Sequence, residues 1–310
     1  IPDADVVISL SHHNYIKRQP LETYRLQRRG TRGVQGMTTR EEDYVEQVLA
    51  TTNHAFLLLF SDRGKVYRLK AHEVPEASRT ARGTALVNLL ALAQGERINA
   101  MVALRSFEDE GSIFMATKRG IVKRCGLMEF IHAKRAGIFA ITLARDDSLV
   151  GIRLIARDTE MILATSQGKA LRFRAGQVRE MGRSARGVTG IRLRGGDEVV
   201  GVADAKEGSA LLTVTELGFG KRTLIGQYPV KSRGGLGVIN LNVAKATGPV
   251  VSVRAVEEDD EVLLGTSSGV FNRIPAGQIS VLGRGARGVR VIRLAEGDRI
   301  AALARIPAKE

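Results

Sequence analysis

The sequence predicts an all-β fold of six similar blades, because three features recur at a constant spacing. A turn residue is followed four places later by an arginine, which we call the marker arginine, at Asn14/Arg18, Gly64/Arg68, Gly120/Arg124, Gly168/Arg172, Gly218/Arg222 and Gly269/Arg273. A second glycine follows the turn residue after 19 residues, or 17 in the third copy, at Gly33, Gly83, Gly137, Gly187, Gly237 and Gly288. Apolar, strand-like stretches flank both markers. Repeats of 48 to 56 residues are typical of propellers and similar closed arrays.

Each copy begins with a predicted β-hairpin. In the fourth copy, an apolar stretch over 161–164 reaches a four-residue turn ending at Gly168, and an alternating stretch follows. Glycine supplies the positive φ of a tight hairpin, and Asn14 is the next best residue for that role in the first copy. The alternation places Arg172 on the opposite face of its strand from Leu171 and Phe173.

The second half of each copy is also predicted to form strands. Apolar runs follow the second glycine at 188–193, 238–241 and 289–294, and each meets a turn and a further apolar strand. Residues 84–94 have helix-forming composition, but their place in the repeat predicts a strand. With about four strands per copy, we expect a single domain over 1–310 with repeats at 6–50, 51–104, 113–155, 161–205, 210–256 and 262–306.

Composition favours a polyanionic partner. The chain has 47 basic and 33 acidic residues, a net charge of +14, which suits nucleic acid or an anionic membrane surface. The longest apolar run, 55–60, has six residues, whereas a membrane-spanning helix needs about 20. The single cysteine, Cys125, fits a reducing cytoplasm. Because no signal peptide is visible and residue 1 is not methionine, we expect a cytoplasmic piece of a longer protein.

Basic residues recur at two places in each repeat. One arginine after a hairpin turn is usually a solvated side chain, but six at one offset, joined by a second cluster near the second glycine, favour a continuous basic rim that follows a DNA backbone. The predicted rim residues are Lys17, Arg18, Lys65, Arg68, Arg79, Arg82, Lys123, Arg124, Lys134, Arg135, Lys169, Arg172, Arg183, Arg186, Lys221, Arg222, Lys231, Arg233, Arg273, Arg284 and Arg287.

Wrapping duplex DNA around such a domain is energetically feasible. The compact-domain scaling gives a radius of gyration of roughly 20 Å, so the duplex axis would lie at a radius of roughly 35 Å. Bending about 30 base pairs to that curvature costs on the order of 10 kcal/mol. A dozen phosphate contacts would give a salt slope of roughly −11, so binding at moderate salt can offset that cost. Trp is absent and aromatic residues make up 5% of the chain, which disfavours a single-strand stacking platform.

No catalytic or metal-binding motif is visible. The sequence lacks a Walker loop, a G-x-S-x-G elbow and an H-E-x-x-H motif, and its five histidines have no ligand spacing. The acidic stretches at 41–43, 108–110 and 257–261 are interpreted as solvated connections between strands. A propeller enzyme with a central site is therefore disfavoured, while a scaffold that binds acidic proteins stays open.

One loop departs from the other five. Gln27-Arg28-Arg29-Gly30-Thr31-Arg32-Gly33 resembles the box Q-R-R-G-G-K-G of the C-terminal domain of the bacterial DNA gyrase A subunit, with Thr31 in place of a glycine and Arg32 in place of a lysine. It occurs in the first repeat only, as in that family. The resemblance covers essentially the whole chain, which also shares the opening segment 11–20.

This resemblance implies a six-bladed β-pinwheel whose blades exchange strands and whose rim wraps duplex DNA with one handedness. The box loop would hold DNA where the first and last blades meet. It also implies a place in an A2B2 complex that contains the gyrase B subunit together with the rest of the gyrase A subunit, and that introduces negative supercoils. ATP, Mg²⁺ and the cleavage tyrosine would belong to other parts of that enzyme, leaving a monomeric, non-catalytic fragment without cofactor. The rival within this resemblance is the equivalent domain of topoisomerase IV, whose box is degenerate and which favours decatenation.

Overall fold

A computed structural model of the chain describes residues 1–24, 29, 34–35, 43, 45–156 and 158–308. The strands in these residues form six antiparallel sheets of four strands each. This confirms the predicted all-β fold of six blades. In the fourth blade, the hairpin strands β13 (Glu160–Thr165) and β14 (Lys169–Arg174) lie between a long edge strand, β16 (Val199–Asp204), and a short one, β19 (Val238–Ile239).

The other five sheets have the same order of long edge strand, first and second hairpin strands and short strand. They contain β4 (Val45–Thr52), β1 (Asp5–Ser11), β2 (Tyr15–Pro20) and β7 (Thr84–Ala85); β8 (Ile98–Leu104), β5 (Phe56–Ser61), β6 (Lys65–Lys70) and β11 (Ile138–Phe139); β12 (Leu149–Ile155), β9 (Ser112–Thr117), β10 (Ile121–Gly126) and β15 (Val188–Thr189); β20 (Val250–Val256), β17 (Ala210–Thr215), β18 (Phe219–Leu224) and β23 (Val289–Arg290); and β24 (Ile300–Ile306), β21 (Glu261–Thr266), β22 (Val270–Pro275) and β3 (Val34–Gln35).

A short 3-10 turn follows the second hairpin strand of each repeat. These turns span Leu21–Thr23, Ala71–Glu73, Leu127–Phe130, Ala175–Gln177, Ile225–Gln227 and Ala276–Gln278, and a further one spans Leu86–Asn88.

The short strand of every sheet comes from the next repeat along the chain. Thus β14 of the fourth repeat pairs with β19 of the fifth. In the sixth repeat, β22 pairs instead with β3 of the first, with Val270 opposite Gln35 and Phe271 opposite Val34. Strand exchange therefore joins each repeat to its neighbour and closes the ring.

The long edge strands meet at the centre of the ring. Each of β4, β8, β12, β16, β20 and β24 contacts the next, and β24 contacts β4. Apolar cores lie between neighbouring repeats; the closing core, for example, packs Leu263 and Phe271 of the sixth repeat against Tyr24 and Val45 of the first. Because the long strands surround the axis, the opposite edge of each sheet, the short exchanged strand, faces outward.

Both glycine markers lie at the seam where a short strand joins the preceding hairpin. A Cβ on Gly237 would lie 2.6 Å from the carbonyl oxygen of Ala170, and one on Gly168 would collide with the carbonyl oxygen of Leu241. Both have positive φ, as does Asn14 at 62°. The recurring glycines therefore record the close approach of two backbones as well as a turn.

The predicted strands after the second glycine are too long. Strand β15 covers only Val188–Thr189, and the amide of Gly190 donates instead to the carbonyl of Gly120, which takes the chain away from the edge. Residues 84–94 depart further from the prediction, since β7 ends at Ala85 and a 3-10 turn follows. The preceding hairpin pairs with only two residues of this segment, so the strand ends there. The helix-forming residues that follow adopt the 3-10 turn.

Candidate nucleic-acid interface

The outer rim consists of the short strands and of the loops that lead into them. We call these loops the rim loops; they span 77–83, 132–137, 181–187, 231–237 and 282–288 in the second to sixth repeats. The corresponding loop of the first repeat is the box, of which the structure describes Arg29. Gln27, Arg28, Gly30, Thr31, Arg32 and Gly33 lie outside the described residues.

The marker arginines point toward the next repeat instead of outward. Each donates to the carbonyl oxygen of the residue directly after the next repeat's 3-10 turn. The bonds are Arg18 Nε to Val74 (2.9 Å), Arg68 Nη1 to Ile131 (3.0 Å), Arg124 Nε to Val178 (2.7 Å), Arg172 Nη1 to Tyr228 (3.0 Å), Arg222 Nε to Ile279 (2.8 Å) and Arg273 Nη1 to Tyr24 (2.9 Å). The last of them spans the closure of the ring.

Further contacts commit these side chains to the protein. Arg172 and Arg273 also pair with carboxylates of their own hairpins, Glu160 and Glu261. Arg222 is 8% exposed and donates a second bond to the carbonyl of Gly277 at 3.2 Å. The prediction that Arg222 contacts DNA is therefore wrong, because its guanidinium lies inside the junction of the fifth and sixth repeats. For the other five marker arginines, DNA contact stays a prediction.

Three predicted rim lysines are buried. Lys17, Lys123 and Lys221 are fully inaccessible to solvent. The ammonium of Lys17 donates to the carbonyl oxygens of Ser78 (3.2 Å), Arg79 (2.7 Å) and Ala81 (3.0 Å). The prediction of DNA contact is wrong for these three lysines, because each side chain runs beneath a rim loop and ends on its backbone.

Other predicted cations do face solvent. The exposed set on the rim loops and hairpin turns is Arg29, Arg79, Lys134, Arg135, Lys169, Arg186, Lys231 and Arg287, and Lys65, Arg82, Arg183, Arg233 and Arg284 are half-buried. Arg186 and Arg287 make no hydrogen bond or ion pair with any residue that the structure describes. Arg82 instead stacks on the Tyr15 ring and pairs with Asp43, which is 3% exposed. The interpretation of the stretch 41–43 as a solvated connection is therefore wrong at Asp43, the residue of that stretch that the structure describes.

One arginine in several rim loops also joins neighbouring blades. Arg183, Arg233 and Arg284 donate from Nη1 to the carbonyl oxygens of Phe139, Thr189 and Ile239, the second residues of the preceding short strands. Arg29 of the box donates in the same way to Arg290, at 3.2 Å. The box arginine that the structure describes thus makes, at the closure of the ring, the contact that other rim loops make between consecutive repeats.

Sequence reasoning missed three residues of this rim. Gln177 and Gln278, each the last residue of a 3-10 turn, accept the backbone amides of Arg233 (2.8 Å) and Arg29 (3.1 Å). The repeated triplet Ala-Gly-Gln at 175–177 and 276–278 was the available signal. Arg290 lies exposed on the short strand β23 and is a further outward cation.

Neither a metal site nor a membrane span is found in the described part of the chain. There, no group of three or more His, Cys, Asp or Glu side chains is arranged to hold a metal ion. No helix among those residues has the length and apolar character needed to cross a membrane.

Comparison with known families gives a match in each of the six repeats. A family model described as "DNA gyrase C-terminal domain, beta-propeller" matches residues 5–52, 55–104, 111–156, 159–206, 210–257 and 260–307. The A subunit of DNA gyrase from Staphylococcus aureus strain MRSA252 is 42% identical over 309 residues, and so is that from strain NCTC 8325. The match covers 99% of this chain but 35% of either relative, so the chain spans about a third of their length.

Solved structures agree with this match. A DNA gyrase A C-terminal domain superposes with a TM-score of 0.90 at 28% identity, covering 97% of this chain and 99% of that one. The C-terminal domain of a DNA topoisomerase IV superposes with a TM-score of 0.72 at 22% identity, covering 99% and 94%. At that identity the second likeness is one of fold alone.

Proposed function

This chain belongs to the family of DNA gyrase C-terminal domains, and we propose that it binds duplex DNA without sequence preference and wraps it around its rim. The observation that carries the proposal is the placement of outward cations on rim loops all around a closed ring. Arg186 in the fourth repeat and Arg287 in the sixth have the same place in their loops and are not committed to protein partners among the described residues.

The chemistry of the rim suits phosphate rather than bases. Arginine and lysine on loops neutralise phosphates and release counterions, which gives affinity without reading sequence. The net charge of +14 adds a long-range attraction to DNA. A ring that presents cations at successive repeats favours a curved path for the duplex over a single point of contact.

We further propose that the domain serves a type II topoisomerase. In the gyrase A2B2 complex, wrapped DNA would present a neighbouring segment for strand passage, so that ATP hydrolysis drives negative supercoiling. ATP and Mg²⁺ would act in other parts of that enzyme. On this proposal the fragment itself is monomeric and non-catalytic, and the complex works on the chromosome in the cytoplasm.

Two rival functions make different demands. A role in decatenation, as for a topoisomerase IV domain, has weaker support, since the likeness to that domain is in fold alone at 22% identity. A scaffold for acidic proteins would bind DNA weakly at physiological salt and leave its topology unchanged.

Topology provides the test. Relaxed circular plasmid is incubated with increasing amounts of the fragment and a nicking-closing enzyme, and the topoisomers are then resolved on gels. We expect the distribution to shift in one direction as protein is added, because chiral wrapping traps writhe. An unshifted distribution at saturating protein would overturn wrapping, and failure to bind the plasmid at all would overturn the whole proposal.

The box can be tested separately by salt dependence. Replacing Arg28, Arg29 and Arg32 together with alanine should lower the magnitude of the salt slope by up to about 3, one for each phosphate contact that the substitutions remove. A slope equal to that of the unaltered chain would mean that the box does not touch the DNA backbone.

A further inference from the structure

The type of residue found three places after the turn residue alternates from one repeat to the next around the ring. It is Lys17, Lys123 and Lys221 in the first, third and fifth repeats, and Tyr67, Leu171 and Asn272 in the second, fourth and sixth. All six side chains are buried, so the alternation is not a variation of surface charge. Burying a lysine is costly unless its ammonium is hydrogen-bonded. Three such lysines at equivalent positions therefore call for a role.

Each lysine ends on the backbone of the next repeat's rim loop. Lys221 donates to the carbonyl oxygens of Gly283 (2.7 Å) and Arg284 (2.8 Å), and Lys123 donates to that of Arg183 (2.5 Å). Lys123 makes a second bond, to Ala140 at 2.7 Å. Together with the contact of Lys17 to Arg79, this gives one shared acceptor, the carbonyl of the first arginine in each loop.

The three loops held in this way share a sequence and a turn. They read R-x-A-R-G, at 79–83, 183–187 and 284–288. In each, the alanine amide donates to the carbonyl three residues earlier: Ala81 to Ser78, Ala185 to Gly182 and Ala286 to Gly283. The carbonyls of the turn face the buried ammonium, and the second arginine of the motif, exposed in the fourth and sixth repeats, follows on the outside.

The rim loops of the third and fifth repeats differ in their sequence and in the side chain that lies beneath them. They read Ala133-Lys-Arg-Ala-Gly137 and Arg233-Gly-Gly-Leu-Gly237, without the second arginine. An apolar or aromatic side chain lies beneath each: the Tyr67 ring borders Gly137, and Leu171 borders Gly235. In the loops of the second to sixth repeats, loop sequence and buried lysine thus change together.

We propose that Lys17, Lys123 and Lys221 are positioning residues that fix the R-x-A-R-G loops of the second, fourth and sixth repeats in the conformation that binds DNA phosphates. This inference rests on the proposed DNA-binding function. A buried ammonium satisfies several converging carbonyls at once, which no neutral side chain of that length does. The duplex is therefore held by three stiff sites on alternate blades, in addition to the box.

The ionisation of these lysines provides a second test of the proposal, through the pH dependence of DNA binding. Burial lowers the pKa of Lys17 and of Lys221 to about 8, and it also lowers that of Lys123. The charged or titratable groups that act on them are Cys125, Glu129 and Arg183 for Lys123, and Arg284 for Lys221. Burial raises the pKa of Cys125 to about 11. The Cys125 thiol therefore stays protonated between pH 7 and 9.

The decisive variant is Lys221→Met, which keeps side-chain length and removes the ammonium. We expect several-fold weaker binding to a duplex at fixed salt, a salt slope smaller by about 1 because one phosphate contact is removed, and faster amide hydrogen exchange in the loop 283–288. Lys206→Met, at an exposed turn between β16 and β17, removes the same charge. Leu171→Met alters the equivalent buried position. Both controls should bind DNA within about twofold of the unaltered chain, because Lys206 lies outside the rim loops and an exchange of leucine for methionine conserves core volume.

Wild-type affinity between pH 7 and 9 is the companion measurement. Deprotonation removes the charge that strengthens these hydrogen bonds, and at Lys17 it leaves two donors for three carbonyls. We therefore expect affinity to fall as pH rises through about 8, and the fall to disappear when all three lysines are methionine. The stability of the fold should move the other way. The folded-state pKa lies below the unfolded value of 10.5, so unfolded protein binds more protons between those values and stability rises with pH. A purely structural lysine would affect stability and leave affinity unchanged.

The outcomes separate cleanly. Binding by Lys221→Met equal to that of both controls overturns the inference, and if that variant does not fold, a flat wild-type pH profile overturns it instead. If the unaltered chain does not bind duplex DNA, it is the proposed function that fails.

Discussion

The marker arginines and the rim-loop arginines Arg186 and Arg287 carry the same charge, yet they face opposite ways. Arg222 is 8% exposed and bonds to two carbonyls of the next repeat, whereas Arg287 is exposed and has no partner among the residues described. The more regular set in sequence is thus the one turned inward. Strict recurrence at one offset marks a contact that every junction requires, whether or not a ligand is involved.

The reason lies in the acceptor. A helix or turn ends with carbonyl groups that lack an internal partner, and the residue after each 3-10 turn presents such a group to the neighbouring hairpin. A guanidinium offers several donors in a fixed plane and keeps its charge when partly buried. One arginine per junction therefore satisfies the turn and joins two blades, including the sixth to the first.

The largest effect that this contrast predicts is on stability. Arg222→Met should lower the free energy of unfolding by about 3 kcal/mol, because two buried carbonyls lose a charged donor. Urea unfolding followed by circular dichroism measures the change. Arg287→Met is the matched control and should stay within about 0.5 kcal/mol of the unaltered chain. Equal decreases in the two variants would contradict the division into inward and outward arginines.

The converse effect concerns DNA. Replacing Arg186 and Arg287 together with glutamine should lower the magnitude of the salt slope by about 2, because two phosphate contacts are removed. Fluorescence anisotropy of a labelled duplex over a salt series measures it. Arg222→Met, assayed well below its unfolding temperature, should keep the original slope. If the slope falls for Arg222→Met and not for the double variant, the assignment of the two sets is reversed.

The smallest effect tests the anchoring of the box. Gln278→Ala removes the acceptor of the Arg29 amide. It should lower the free energy of local opening at Arg29 by about 1 kcal/mol, the usual net value of one hydrogen bond. We expect faster hydrogen exchange at Arg29 with little change in global unfolding. Gln227→Ala changes the same position of a 3-10 turn where no such bond is found among the described residues, and it should leave its facing loop unaffected. Identical exchange at Arg29 in both variants would mean that Gln278 does not hold the box.

Much of the fold was predictable because repetition removes ambiguity. The hairpins follow from apolar stretches flanking a residue of positive φ, and six copies at one period fix the number of blades. The segment 84–94 shows the limit of this argument. Its place in the repeat predicted a strand, but strand length depends on how many residues the neighbouring hairpin leaves unpaired, and that is decided between repeats.

The candidate site was predictable in composition but not in orientation. The residue pattern indicates how many cations each repeat carries, where they recur, and which loop resembles the gyrase box. The burial of Lys17, Lys123, Lys221 and Arg222 follows from the way in which neighbouring repeats pack together. Alternation along a strand gives the face on which a side chain lies. Which face meets solvent depends on the strand and the 3-10 turn that the next repeat lays against it, because burial and hydrogen bonding at a junction belong to both repeats together.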